Sequence, residues 1–266
     1  MKKQFGVFIL LCMCALFISC EDDDDRITLT VHTSAYDVFS TLKDVDGVSY
    51  FTDRLPDGLE VRFCYMVVKQ REGLSEEDEV IATEFVYVDD ISSTVSYTTG
   101  ELVPGVYNVY VTTDLVKGDR IYNSINVDQY LAPIVKCDVF AGVYNAFGAA
   151  SQKDILIESK TEITLDSRRK GALVTLLFKN NTEDRTEYQM STEKFEFYTH
   201  TNAFSGNTKL GIHTIGASTT SAQHYCASAT DFYIGCNGGY PEFTLTDGRD
   251  KMIELNLATG QATENY

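Results

Sequence analysis

Beyond residue 26 the chain alternates apolar and polar residues in short runs, and that period of two predicts strands. Ile27 to His32 alternates cleanly and is expected to be the first strand. Leu59 to Phe63 alternates as well, then turns apolar on both faces through Val68, the pattern of a strand covered from two sides. Glu84 to Val88, Thr94 to Thr98 and Val106 to Val111 follow, the last directly after the Pro104-Gly105 turn, and Ile121 to Val127 closes this half. Arg71 to Glu79 is charged and reads as a loop. The pattern resets near Leu131-Ala132-Pro133. Beyond it, strands are expected at Asp154 to Glu158, Glu162 to Leu165, Gly171 to Phe178, Lys194 to Tyr198, Lys209 to His213, Phe232 to Gly235, Glu242 to Thr246 and Lys251 to Leu257. Asn180-Asn181, Gly206-Asn207, Asn237-Gly238-Gly239 and Asp247-Gly248 punctuate them. No 3.6-residue period is sustained, so the expectation is an all-β chain of two tandem β-sandwich domains, residues 27–132 and 133–266.

The first 25 residues follow a different pattern. Lys2 and Lys3 precede an apolar run from Phe5 to Ile18, which stops at Ser19-Cys20. The run is short for a membrane span and reads as the core of a secretory signal peptide over residues 1–19. Phe17-Ile18-Ser19-Cys20 resembles the lipobox of bacterial lipoproteins, which implies cleavage before Cys20 and acylation of that thiol. Glu21, Asp22, Asp23, Asp24 and Asp25 follow at once, and five carboxylates cannot enter hydrocarbon. Residues 20–26 therefore read as a lipidated cysteine with a solvated acidic tether. The acidic block also resembles the surface-export signal of Bacteroidota lipoproteins, implying the outer face of the outer membrane. A plain acidic spacer on a periplasm-facing protein is the alternative.

Charge narrows the partners. Removing residues 1–19 takes away Lys2 and Lys3 and no acid, so the formal charge of −17 becomes −19. Nucleic acid and anionic lipid surfaces both require a basic face, so neither is an expected partner, and contact with the membrane falls to the acyl chains alone. After Cys20 four cysteines remain, Cys64, Cys137, Cys226 and Cys236, which admit three disulfide pairings in an oxidising compartment. Cys226 and Cys236 flank a strand-like run and are the expected pair, with free buried thiols the alternative, while Cys64 sits in an apolar run and reads as core.

Reactive constellations are not legible. His32, His200, His213 and His224 lack metal-ligand spacing, and His224 with Cys226 and Cys236 lacks an evident fourth zinc ligand. Asp44-Val45-Asp46-Gly47 opens like a calcium loop without its closing glutamate and reads as a turn. The expectation is therefore no enzyme, no catalytic or metal-binding residue and no cofactor. Tyr225, Tyr233 and Tyr240 near the Asn237-Gly238-Gly239 turn would be the stacking groups of a glycan-binding lipoprotein of a polysaccharide-uptake system. Against that reading stands the absence of Trp.

Three segments carry a wider resemblance. Leu55 to Phe63 with Leu102 to Val109 is similar to the transthyretin-like, Greek-key first domain of the fimbrillin-like lipoproteins of the Bacteroidota, the family of fimbrial anchors and minor subunits. Asp138 to Gly142 resembles the linker opening their second domain, and Leu165 to Val174 its basic turn and strand. The resemblance implies a pilus subunit or anchor that meets other fimbrial subunits by strand exchange. Ile27 to His32 and Met252 to Leu257 are the segments that could take part, each otherwise an ordinary edge strand. The resemblance also implies that Arg54, in Thr52-Asp53-Arg54-Leu55-Pro56, is a possible site for an arginine-specific protease.

Overall fold

The computed structural model of the chain describes residues 26–56, 58–71, 78–117, 143, 146–198, 203–226 and 231–265. Cys20, Glu21 to Asp25, Cys137, the Ile121 to Val127 strand and most of the 71–79 loop lie outside them.

Strands make up most of the described residues. In the first part these are β1 (Leu29–Ser34), β2 (Leu59–Lys69), β3 (Glu79–Val88), β4 (Thr94–Thr98), β5 (Gly105–Lys117), β6 (Phe147–Ile157), β7 (Thr161–Thr164) and β8 (Arg168–Lys170). One helical turn, α1 (Tyr36–Phe39), follows β1. The second part holds β9 (Ala172–Lys179), β10 (Thr186–Tyr198), β11 (Ala203–Ile215), β12 (Ser221–Cys226), β13 (Asp231–Gly235), β14 (Glu242–Thr244), β15 (Lys251–Asn256) and β16 (Gln261–Asn265).

Four sheets result, in the orders β4-β1-β7, β3-β2-β5-β6-β8, β11-β10-β13-β14 and β12-β9-β15-β16. The first two enclose one core. Leu29 and Val31 of β1 and Val95 of β4 join Val61, Phe63, Tyr65 and Val67 of β2 and Val109 and Val111 of β5 in a single buried cluster. The Tyr65 and Tyr97 rings meet across it at 5.2 Å. The last two sheets enclose a second cluster, with Val174, Leu176 and Ile253 facing Tyr188, Met190, Phe232 and Ile234. β2 is buried on both faces from Val61 to Val68, as its pattern predicts. On the face away from the core, Arg62 pairs with Asp114 across the sheet, Nη2 to Oδ2 at 2.6 Å.

Pairing does not follow the expected division at 132/133. β6 is antiparallel to β5, β8 to β6, and β7 runs parallel beside β1, so residues 147–170 belong with the N-terminal sheets. The crossing to the second core falls at Gly171, where φ is +79°. A local reset near Pro133 marks a break in the alternation; sheet membership is set by non-local backbone pairing, which the alternation does not encode.

Candidate functional site

β1 is the centre of the first candidate site. Its apolar positions Leu29 and Val31 point into the core and are fully buried, while Thr30 and His32 face outward. β1 pairs antiparallel with β4 over five positions, Thr30 to Ser34, and parallel with β7 over four, Leu29 to His32. Among the described residues, β4 and β7 meet only through it. His32 spans all three strands, with Nδ1 2.7 Å from Ser96 Oγ on β4 and Nε2 3.6 Å from the Glu162 carboxylate on β7. The strand expected as an edge is thus the middle of its sheet. The same correction applies to Met252 to Leu257, since β15 lies between β9 and β16, and the tail beyond it forms the edge strand β16.

The second site is the joint between the two cores. The Asp247-Gly248-Arg249-Asp250 turn receives the end of β8. The Arg169 guanidinium, only 4% exposed, lies 3.0 Å from Asp250 Oδ1 and donates to Oδ2 at 3.1 Å and to the Gly248 carbonyl at 2.6 Å. Asp247 accepts from the Gly171 N–H at 2.6 Å and from Lys170 Nζ at 3.2 Å, and Asp250 accepts from the Leu173 N–H at 2.9 Å. Leu173 and Tyr225, from the second set of sheets, are buried in the first core, and the Tyr225 hydroxyl donates to the Lys170 carbonyl. Charge-assisted bonds of this kind, several to one buried guanidinium, hold a defined geometry.

A third cluster lies between the sheets of the second core. Tyr188 of β10 stacks on His213 of β11, and His213 meets His224 of β12 with centroids 4.3 Å apart. Tyr188 Oη lies 2.7 Å from His224 Nε2. Burial, with His213 adding to it, depresses the His224 imidazole to about 4, and burial raises the Tyr188 phenol. With both groups neutral, the imidazole tautomer sets the direction of this bond: Oη–H donates to Nε2 when Nδ1 carries the proton, and Nε2–H donates to Oη when it does not.

Arg54 is exposed, but its neighbours are stitched down: the Leu55 N–H donates to the Asp89 carbonyl at 3.2 Å and the Ile91 N–H to that of Asp53 at 3.0 Å. Cys226 and Cys236 are both buried, and no disulfide joins them. Cys226 ends β12 beside Ala172, whereas Cys236 follows β13 in the facing sheet with its Sγ 3.9 Å from the Leu257 carbonyl. Cys64 is core, its thiol pushed up to about 12 by burial. Asp44 makes the expected turn, accepting from the Asp46 and Val48 N–H groups at 2.9 and 2.8 Å. The three tyrosines do not form one surface: Tyr225 is 2% exposed, whereas Tyr240 is 74% exposed with its ring seated over Gly235. Among the described residues no three His, Cys, Asp or Glu side chains gather as a metal site, and no helix is long and apolar enough to cross a membrane.

Sequence reading missed the joint and the histidine cluster. The Asp247-Gly248 turn and the Arg168-Arg169-Lys170 run were both visible, but nothing in the sequence pairs them across more than seventy residues.

No family model matches the chain, and neither does any curated protein. Among solved structures it is similar to the tip fimbrial protein Mfa3 from Porphyromonas gingivalis with C-terminal truncation, at 11% identity and a TM-score of 0.45, over 91% of this chain and 98% of that one. It is also similar to the fimbrial anchor protein Mfa2 of the same organism, at 10% identity and a TM-score of 0.41, over 89% and 95%. A fimbrial assembly protein from Parabacteroides distasonis matches at 9% identity and a TM-score of 0.41, over 90% and 99%.

Proposed function

We propose that the chain is a surface-exposed lipoprotein, held at the outer membrane by acyl chains on Cys20, that serves as a fimbrial subunit or anchor and joins its neighbours by β-strand complementation. The observation that carries this reading is the position of β1. Among the described residues, the strand next to the tether is the sole link between β4 and β7. Withdrawing it would leave two unpaired strand edges and the vacated sites of Leu29 and Val31, a slot that an extended apolar–polar segment from another subunit fits. Where the chain is not cut after Arg54, the lipid stays with the body and the role is an anchor or terminal subunit. Where it is cut, β1 can leave.

The test is capture. A chain lacking residues 20–35 should bind a labelled peptide of residues 27–34 and regain thermal stability with it. A truncated chain that melts like the full one without peptide refutes strand complementation. Separately, palmitate labelling should vanish in Cys20→Ala, and labelling that persists refutes the anchor.

A glycan-binding lipoprotein is the second reading, favoured by one observation. Tyr240 presents a ring fixed over Gly235 beside Gln189 on the outer face of its sheet. Retardation on neutral polysaccharide gels that is lost in Tyr240→Ala would support it.

A further inference from the structure

We propose that residues 161–171 form a strap that couples the β1 slot to the joint between the two cores, so that loss of β1 loosens the Arg169 clamp and loss of the clamp loosens β1. The use of this coupling in assembly rests on the strand-complementation reading; the coupling itself rests on the bonds at the two ends of the strap.

The strap is held at both ends by groups that belong to different bodies. Its first half is fastened to β1. Thr161 donates its N–H to the Thr28 carbonyl at 2.9 Å, Leu165 to that of His32 at 2.8 Å and Ser167 to that of Ser34 at 3.1 Å. The Ser167 hydroxyl, fully buried, meets Thr113 Oγ1 of β5 at 2.7 Å. Its second half is β8 and Gly171. There Arg169 and the Gly171 N–H bind Asp250, Gly248 and Asp247, and the Gly248 N–H returns a bond to the Gly171 carbonyl at 2.8 Å. The segment that follows β1 also covers the strap. Val38 of α1 packs where a Cβ on Gly148 would stand, and Gly148 pairs with Arg169.

Between these fastenings only a few residues intervene, none of them glycine. A rigid, hydrogen-bonded segment of this length cannot move at one end while the other keeps its geometry, because the Arg169 fork tolerates little displacement. Release of β1 frees the carbonyl partners of Thr161, Leu165 and Ser167 and uncovers Gly148, and β8 then keeps only β6 and the clamp. Coupling of this kind is reciprocal.

Hydrogen exchange on the full chain tests both directions. In Arg169→Met the amides of Thr161, Leu165 and Ser167 should exchange about tenfold faster or more, while those in the centre of β2 hold. In Val31→Ala, which loosens β1 without touching the joint, the amides of Gly171, Leu173 and Gly248 should speed up in turn. Both variants keep most of their core, and unchanged far-end amides in either one overturn the strap. Failure of peptide capture with these exchange couplings intact would refute strand complementation alone; capture without coupling would refute the strap alone.

Discussion

His224 offers a quantitative test of the second core. Its imidazole is depressed from 6.5 to about 4, first because burial penalises the cation and then because His213 lies against it. The sign follows from linkage. The unfolded chain takes up a proton near pH 6.5 and the folded one does not until about pH 4, so this contribution is complete above 6.5 and falls away as the pH drops between those values. At about 1.4 kcal/mol for each tenfold change in proton affinity, the full loss is on the order of 3 kcal/mol, of which about 2 kcal/mol is lost by pH 5. His224→Gln keeps a hydrogen-bond partner for the Tyr188 hydroxyl, whichever way that bond runs, and removes the titration. Urea unfolding at pH 7.5 and pH 5 should therefore show the parent losing about 2 kcal/mol more than the variant, with the common carboxylate contribution cancelling. Proton NMR should find one imidazole titrating near pH 4. Equal losses in parent and variant, or His224 titrating near 6.5, would refute the buried geometry.

Other outcomes follow from single contacts. Gly260→Ala should cost roughly 3 kcal/mol or more of thermal stability, since its φ is +68° and a Cβ would overlap the Cys236 carbonyl. Gly238→Ala, at φ +79° in open space, should cost only about 1 kcal/mol in the same melt. Asp114→Asn leaves the Arg62 guanidinium buried without its counter-charge and should lower the urea midpoint by the equivalent of roughly 3–5 kcal/mol, whereas replacing both residues by apolar ones should cost far less. Arginine-specific digestion of the native chain, read by mass spectrometry, should cut after Arg54 slowly, at a rate that rises when Ile91→Ala loosens the bridge to Asp89 and Ile91; rapid cutting of the native chain would show the bridge to be open.

Much of this fold is legible in the alternation. Thr94–Thr98 lies where its pattern puts it, and the double-faced burial of β2 follows from its apolar run. The strands that escape notice have physical reasons. β8 is Arg-Arg-Lys, with no apolar residue, and exists because β6 and the acidic turn hold it. β12 reads Ser-Ala-Gln-His-Tyr-Cys, polar along its outer face, and its Tyr225 serves the other core. β16 follows the tight turn at Gly260 and depends on β15 for its register. The site is less legible still. Alternation reports which face of a strand is buried but not whether the strand is central or an edge, because both have the same period, and so it does not place β1 and β15 inside their sheets. Cys226 and Cys236 are close in sequence, yet they belong to facing sheets, and sequence distance carries no sheet assignment.

The interior position of β1 bears on how any exchange proceeds. Addition to an edge strand leaves the host sheet intact, whereas insertion at β1 requires a vacancy. Withdrawing β1 exposes Leu29 and Val31, both fully buried, at roughly 1.5–3 kcal/mol each, before any of the backbone bonds to β4 and β7 is counted. Spontaneous vacancies are then rarer than about one molecule in a hundred by the apolar loss alone, and far rarer once the ladder is included. Cleavage after Arg54 does not by itself lift this barrier, because Val38, Phe39, Leu42 and Phe51 on the released side are buried in the same core. It makes the segment free to leave without letting it leave quickly. An incoming strand that displaces β1 residue by residue, keeping the β4 and β7 ladders filled as it advances, avoids the open intermediate. Exchange by that route should quicken with donor concentration, while exchange through a vacancy should level off at the rate of β1 departure, and stopped-flow mixing of a cleaved chain with labelled peptide separates the two.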